Sequence, residues 1–156
     1  MAKVYIETTI VSYLTNRISH DLIVAAHQNS TQDWWMSRRD SFELYTSQLV
    51  IREASAGDPS AASRRIEALQ GLPLLETTES ARRMAGLFLR GGVVPETRAE
   101  DALHIALAIV HGMDYLLTWN CKHVANAEIR KALGDICRKQ GYVLPDICTP
   151  EELMGE

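Results

Sequence analysis

Four residues of this sequence carry side-chain oxygen donors at places where a folded chain could gather them: Glu7, Glu53, Asp101 and Asn120. Hard divalent cations such as Mg²⁺ and Mn²⁺ prefer oxygen ligands of this kind. Carboxylates drawn together repel one another unless a cation lies among them. With one or two ions, such a group can orient a water, lower its pKa and neutralise charge on a phosphodiester. The chemistry indicated is metal-assisted phosphodiester hydrolysis. Spacing alone carries it weakly, because 20 acidic residues in 156 supply many accidental quartets. No Ser, Cys or His stands in the arrangement expected of a covalent nucleophile.

The elements around these residues decide whether they can meet. In Ala99–Asn120, AEDALHIALAIVHGMDYLLTWN, Ala102, Ile105, Ala106 and Ile109 follow the i, i+3, i+4, i+7 spacing of a helix face turned to a core. His111-Gly112 ends that helix, and Tyr115-Leu116-Leu117 is apolar enough for a strand covered on both faces. Asp101 opens the helix and Asn120 lies just beyond the strand. Lys3–Ile6 reads as the first strand, with Glu7 at its carboxyl end and a short helix through Ile10, Val11, Tyr13 and Leu14, capped by Thr8 or Thr9. A longer helix spans 21–39, with Ile23, Ala26, Trp34 and Trp35 as its apolar surface. Phe42–Thr46 reads as a second strand, followed by a helix capped by Ser47 that carries Glu53 and ends near Gly57.

Further along, the pattern predicts a helix over 60–70, a strand over 72–75 and a helix over 78–89. A helix over 126–140 and a last strand at Tyr142-Val143-Leu144 follow. Thr149-Pro150-Glu151-Glu152 has the residues of a capping box and predicts a short terminal helix. Strands alternating with helices predict a three-layer α/β/α sandwich around a central parallel sheet. Ligands of such sheets sit beyond the carboxyl ends of the strands, where the strand order reverses. Glu7 and Asn120 both follow strands directly and are candidates for that rim.

At 156 residues and 46% hydrophobic, the chain is expected to form one domain over 1–156. No apolar run approaches the roughly 18–20 residues that cross a bilayer, so no membrane association is expected. Met1-Ala2-Lys3 leads directly into a strand pattern without a secretory apolar region. Cys121, Cys137 and Cys148 are odd in number and scattered, which fits a reducing, cytoplasmic setting. A net charge of −4 argues against general electrostatic capture of nucleic acid. Such a contact would be local, or helped by metal ions or a partner chain.

The sequence resembles PIN-domain proteins of the VapC-like type, the toxin class of bacterial toxin–antitoxin pairs. The residues that carry the resemblance are Tyr5-Ile6-Glu7-Thr8-Thr9, then Ser47 with Val50 and Glu53, then Asp101-Ala102-Leu103-His104-Ile105-Ala106-Leu107-Ala108, then Leu116-Leu117-Thr118-Trp119-Asn120. The resemblance implies Mg²⁺- or Mn²⁺-dependent cleavage of RNA, a homodimer, and a cognate antitoxin as partner. It implies that Glu7, Glu53 and Asp101 hold the metal, with Asn120 as a weaker fourth ligand. Two departures stand out. The first strand usually ends in Asp rather than Glu7, and the later motif is usually Thr-x-Asp rather than Thr118-Trp119-Asn120. Asn offers a neutral carbonyl and cannot hold a metal by charge. A weakened enzyme, or a PIN-like module that only binds RNA or protein, is the alternative. A different phosphate-processing α/β enzyme is a third class.

Each residue also has a plainer reading. Asp101 can favour the positive end of its helix, Glu7 can cap the next helix, Glu53 can face solvent, and Asn120 can satisfy a turn. Thr8, Thr9 and Thr118 can be caps or strand-end hydroxyls that orient a ligand. His104 reads as a core or interface histidine on the face of Asp101. Trp34-Trp35 and Trp119 read as core or dimer-contact residues. Arg38-Arg39, Arg64-Arg65 and Arg82-Arg83 read as solvated helix faces, any of which can meet RNA phosphates. Cys121-Lys122-His123 invites zinc, but Cys137 and Cys148 do not complete a four-ligand spacing.

Overall fold

Val4, Tyr5 and Ile6 leave no face for water, and β1 (Lys3–Ile6) is accordingly the central strand, with all three side chains fully buried. In the computed structural model, which describes residues 1–121 and 126–155, it pairs with β2 (Glu43–Ser47) and β4 (Tyr115–Leu117). β3 (Leu74–Leu75) lies outside β2 and β5 (Asp146–Cys148) outside β4. The order is β3-β2-β1-β4-β5 and every pairing is parallel. Ile6 stands opposite Leu117, so the chain leaves both strands at the same level.

From β1 the chain moves outward to β2 and β3, then returns past β1 to β4 and β5. Right-handed crossovers therefore put the two sets of connecting helices on opposite faces. α1 (Thr8–Thr15) packs against α2 (Leu22–Ser37), α3 (Gln48–Ala54) and α4 (Pro59–Leu69). α5 (Glu79–Arg90) packs along α6 (Ala99–Val110), and α7 (Ala127–Lys139) meets α5. This is the α/β/α arrangement that the alternating pattern predicts. The strand order reverses between β1 and β4, which makes the gap above them the switch point.

α6 buries Ala102, Ile105, Ala106, Leu107 and Ala108 completely. It stops at His111, and Gly112 follows at φ +71°, a backbone state that suits glycine. Ser47, Asp58, Thr78 and Asn126 each cap the helix that follows by accepting one of its free amides.

Several local expectations shift. The last strand is Asp146–Cys148, not Tyr142–Leu144. Val143 is exposed, and Pro145, which lacks an amide hydrogen for the ladder, separates it from the strand. The cap of α1 is Glu7, with Thr8 and Thr9 inside the helix. α2 buries Gln28, Thr31 and Trp34, while Ile23 and Ala26 face out. Gln28 is accommodated by bonds to the loop before it, accepting from Ser19 N at 2.9 Å and donating to Arg17 O at 3.0 Å. The Thr149–Glu152 capping box forms both of its bonds but closes a single turn. No helix among the described residues is long and apolar enough to cross a membrane.

Candidate metal centre

The register of β1 and β4 brings the first two pieces together. Glu7 N donates to Leu117 O at 3.2 Å, and Glu7 and Thr118 emerge side by side. Thr118 Oγ1 donates to Glu7 Oε1 at 2.6 Å and Thr9 Oγ1 donates to the same oxygen at 2.5 Å. Thr9 N adds a third bond to it at 3.2 Å. Trp119 N donates to Thr9 Oγ1 and Asn120 N to Thr118 Oγ1, so the segment after β4 is sewn to the start of α1. These bonds load one carboxylate oxygen of Glu7 and leave Oε2 outside the set. Capping and site geometry are compatible in this residue.

Glu53 comes from the far end of α3, whose N-terminus is fixed by Ser47 Oγ accepting from Val50 N at 3.1 Å. Thr8 Oγ1 on α1 donates to Glu53 Oε1, and His104 Nε2 on α6 meets the same oxygen at 2.8 Å. Asp101 lies in the first turn of α6, 4.0 Å from the Arg98 guanidinium. Asn120 Nδ2 points at Asp101 Oδ2 from 3.5 Å.

Three of the four expected residues meet around one space. Glu7, Asp101 and Asn120 line a small cavity with His104, Leu116 and Thr118. Its free space is about 10 Å³, room for one water or one small ion. Glu53 does not line that cavity, but one ligand atom each from Glu7, Glu53 and His104 lie within 4.8 Å of one another. The oxygen donors, carboxylates and an amide carbonyl, fit a divalent cation such as Mg²⁺ or Mn²⁺, and the His104 imidazole stands beside them.

Electrostatics marks the same cluster. Burial works to raise the Glu53 carboxyl. The hydrogen bond and charge of His104, with hydrogen bonds from Glu100 and Thr8, outweigh it and hold the group at about 2. Burial works to lower His104, but Glu53, Glu7 and Asp101 together raise it above its ordinary value. Glu100 is raised chiefly by its hydrogen bond with Glu53. Burial raises Tyr5 strongly, so its phenol keeps its proton.

His104 is the participant that the plain reading sends to the core. It is buried, as expected of a core residue, yet its ring faces the carboxylates. The signal was its position three residues after Asp101, on one helix face. Tyr5 carries no such signal, because an aromatic residue in an apolar strand looks like packing. Trp119 is half-buried, stacked on His27 at 4.1 Å and held by Nε1–H to Thr31 Oγ1 at 2.8 Å. Several paired arginines are engaged by the fold itself: Arg64 and Arg65 bond backbone carbonyls, Arg82 bonds Thr77 O, and Arg38 and Arg39 lie over Phe42 and Trp35. All three cysteines are free, and Lys122 and His123 lie outside the described residues.

Neither protein-family models nor curated proteins give a match to this chain. Among solved structures, it is similar to a chain of VapBC2 from Rickettsia felis, crystallised with a DNA fragment from its promoter. The superposition covers 94% of this chain and 98% of that one, at a TM-score of 0.59 and 13% sequence identity. At that identity the likeness is one of architecture, and the fold is PIN-like.

Proposed function

We propose that this chain is a single PIN-like domain that cleaves RNA phosphodiesters with Mg²⁺ or Mn²⁺, and that it is the toxin of a toxin–antitoxin pair. The observation that carries the reading is the meeting of Glu7, Asp101 and Asn120 around one ion-sized cavity at the switch point, with Glu53 reaching the same rim. Glu7, Glu53 and Asp101 would hold the cation, and the Asn120 carbonyl would be a neutral fourth donor. When bound, the ion supplies a Lewis acid that neutralises phosphate charge and lowers the pKa of a water. The chain's own contribution is orientation. Thr9 and Thr118 fix Glu7, while Thr8 and His104 fix Glu53. Arg98, beside Asp101, offers a cation to an incoming phosphate.

The architectural likeness to VapBC2 supports a toxin with an antitoxin partner, the scattered free cysteines support a cytoplasmic setting, and the sequence resemblance supports a homodimer. A second reading rests on Asn120, which leaves three carboxylates where four are usual. In that reading the chain is a weakened enzyme that serves as an RNA- or protein-binding module. The two separate in one assay. Single-turnover cleavage of a mixed-sequence RNA is measured with Mn²⁺ for the native chain and for Asp101→Asn. The nuclease reading expects cleavage by the native chain, abolished by EDTA and lost in the variant. Equal rates in both, or none in the native chain with Mn²⁺ bound, remove it.

A further inference from the structure

Beneath the carboxylates runs a chain of buried polar groups that crosses three elements. Ser47, Tyr5 and His104 are 0%, 0% and 3% exposed. Ser47 Oγ and Tyr5 Oη are 2.8 Å apart, Tyr5 Oη and His104 Nδ1 are 2.6 Å apart, and His104 Nε2 reaches Glu53 Oε1 at 2.8 Å. Ser47 is also the cap of α3, the helix whose other end carries Glu53. Both ends of that short helix are therefore tied to the same line of hydrogen bonds. A buried hydroxyl is costly unless it is bonded, and Tyr5 Oη stands within reach of both neighbours. The imidazole is gripped at Nδ1, which leaves a single direction for Nε2: toward Glu53.

We propose that His104, oriented by Tyr5, is a positioning residue that holds Glu53 in the conformation a divalent cation requires. The inference rests on the metal-dependent reading given above. A glutamate has three side-chain torsions, and binding a cation would otherwise have to order them. Here His104 and Thr8 hold one oxygen from two sides, so the carboxylate is set before the ion arrives. This is the relation in which an outer partner orients a ligating group. It also explains a buried tyrosine on the central strand, where phenylalanine would pack as well.

The test is Mn²⁺ affinity, measured by calorimetry and by electron paramagnetic resonance, on the full chain and on His104→Ala, His104→Gln and Tyr5→Phe. His104→Ala is expected to weaken Mn²⁺ about 10- to 100-fold, and Tyr5→Phe about tenfold. His104→Gln returns an amide N–H toward Glu53 and is expected to regain most of the loss. In cleavage, the lost affinity should be restored by raising Mn²⁺, whereas a merely structural defect would not be. Should the alanine variant fail to fold, the glutamine and phenylalanine variants carry the comparison. Folded variants that bind Mn²⁺ as the native chain does overturn the proposal and leave the metal site standing. A strong ¹⁴N coupling to bound Mn²⁺ also overturns it, since His104 would then be a ligand itself. A native chain that binds no Mn²⁺ overturns both this proposal and the metal-dependent reading.

Discussion

Thr118 donates a hydrogen bond of 2.6 Å to Glu7 across 111 residues of sequence. The contact follows from the parallel register, which sets Ile6 opposite Leu117 and so makes the next residues neighbours. Both are nearly closed to solvent, at 2% for Thr118 and 8% for Glu7. Thr118→Val keeps the shape and removes the hydroxyl, leaving Glu7 one donor short and Asn120 N without its acceptor. Because one partner is a carboxylate, the expected loss is about 1.5–3 kcal/mol. Urea unfolding in EDTA reads it directly. A midpoint equal to that of the native chain would show that the bond contributes nothing.

The Glu53–His104 pair makes stability depend on pH at both ends. Glu53 falls from an ordinary 4.5 to about 2 on folding, so its contribution is complete above 4.5 and is lost as pH falls through about 2. His104 is raised above 6.5, so its contribution is complete below 6.5 and is lost as pH rises through the folded value. The pair therefore stabilises most between pH 4.5 and 6.5. In metal-free protein, Glu53→Gln should flatten the fall between pH 4.5 and 2 relative to the native chain. Superimposable profiles of urea midpoint against pH would remove the pair.

Trp119 links the rim to the helical layer. It stacks on His27 at an interplanar angle of 14°, meets the edge of Tyr13 at 5.8 Å and donates to buried Thr31. Trp119→Ala removes all three contacts and is expected to cost about 3 kcal/mol, at the low end for a tryptophan truncation because the ring is only half-buried. Trp119→Phe keeps a stacking ring and loses the indole N–H together with the smaller ring that bears it. It should recover most of the stability in thermal unfolding, and recovery no better than alanine would assign the effect to that lost part of the indole.

Much of this arrangement was legible in the residues themselves. Helix α6 shows its spacing, the strands show their apolar runs, and Ser47, Asp58, Thr78 and Asn126 announce their helices. Glu7, Glu53, Asp101 and Asn120 could be placed at strand ends and helix termini that a parallel sheet aims at one rim. What stayed hidden depends on tertiary contact. Tyr142-Val143-Leu144 is as apolar as a strand, yet Val143 is exposed and the sheet takes up Asp146–Cys148 beyond Pro145 instead. Gln28 looks polar and exposed until the loop at Arg17 and Ser19 wraps onto it. Tyr5 and His104 look like packing because their hydrogen-bond partners lie 42 to 99 residues away.

Asn120 offers the sharpest test of the centre's charge. Its amide N–H faces Asp101 Oδ2 at 3.5 Å, a weakly favourable contact. Asn120→Asp replaces that donor with a second carboxylate and turns attraction into repulsion. Without metal the variant should lose on the order of 1 kcal/mol, the scale of a partly solvated charge pair. With Mn²⁺ the sign reverses, because four carboxylates hold a cation better than three. The thermal midpoint of Asn120→Asp should thus rise more on adding Mn²⁺ than that of the native chain. RNA cleavage should rise with it if the natural chain is a weakened nuclease. Equal Mn²⁺-induced shifts in the two proteins would mean that position 120 does not face the ion.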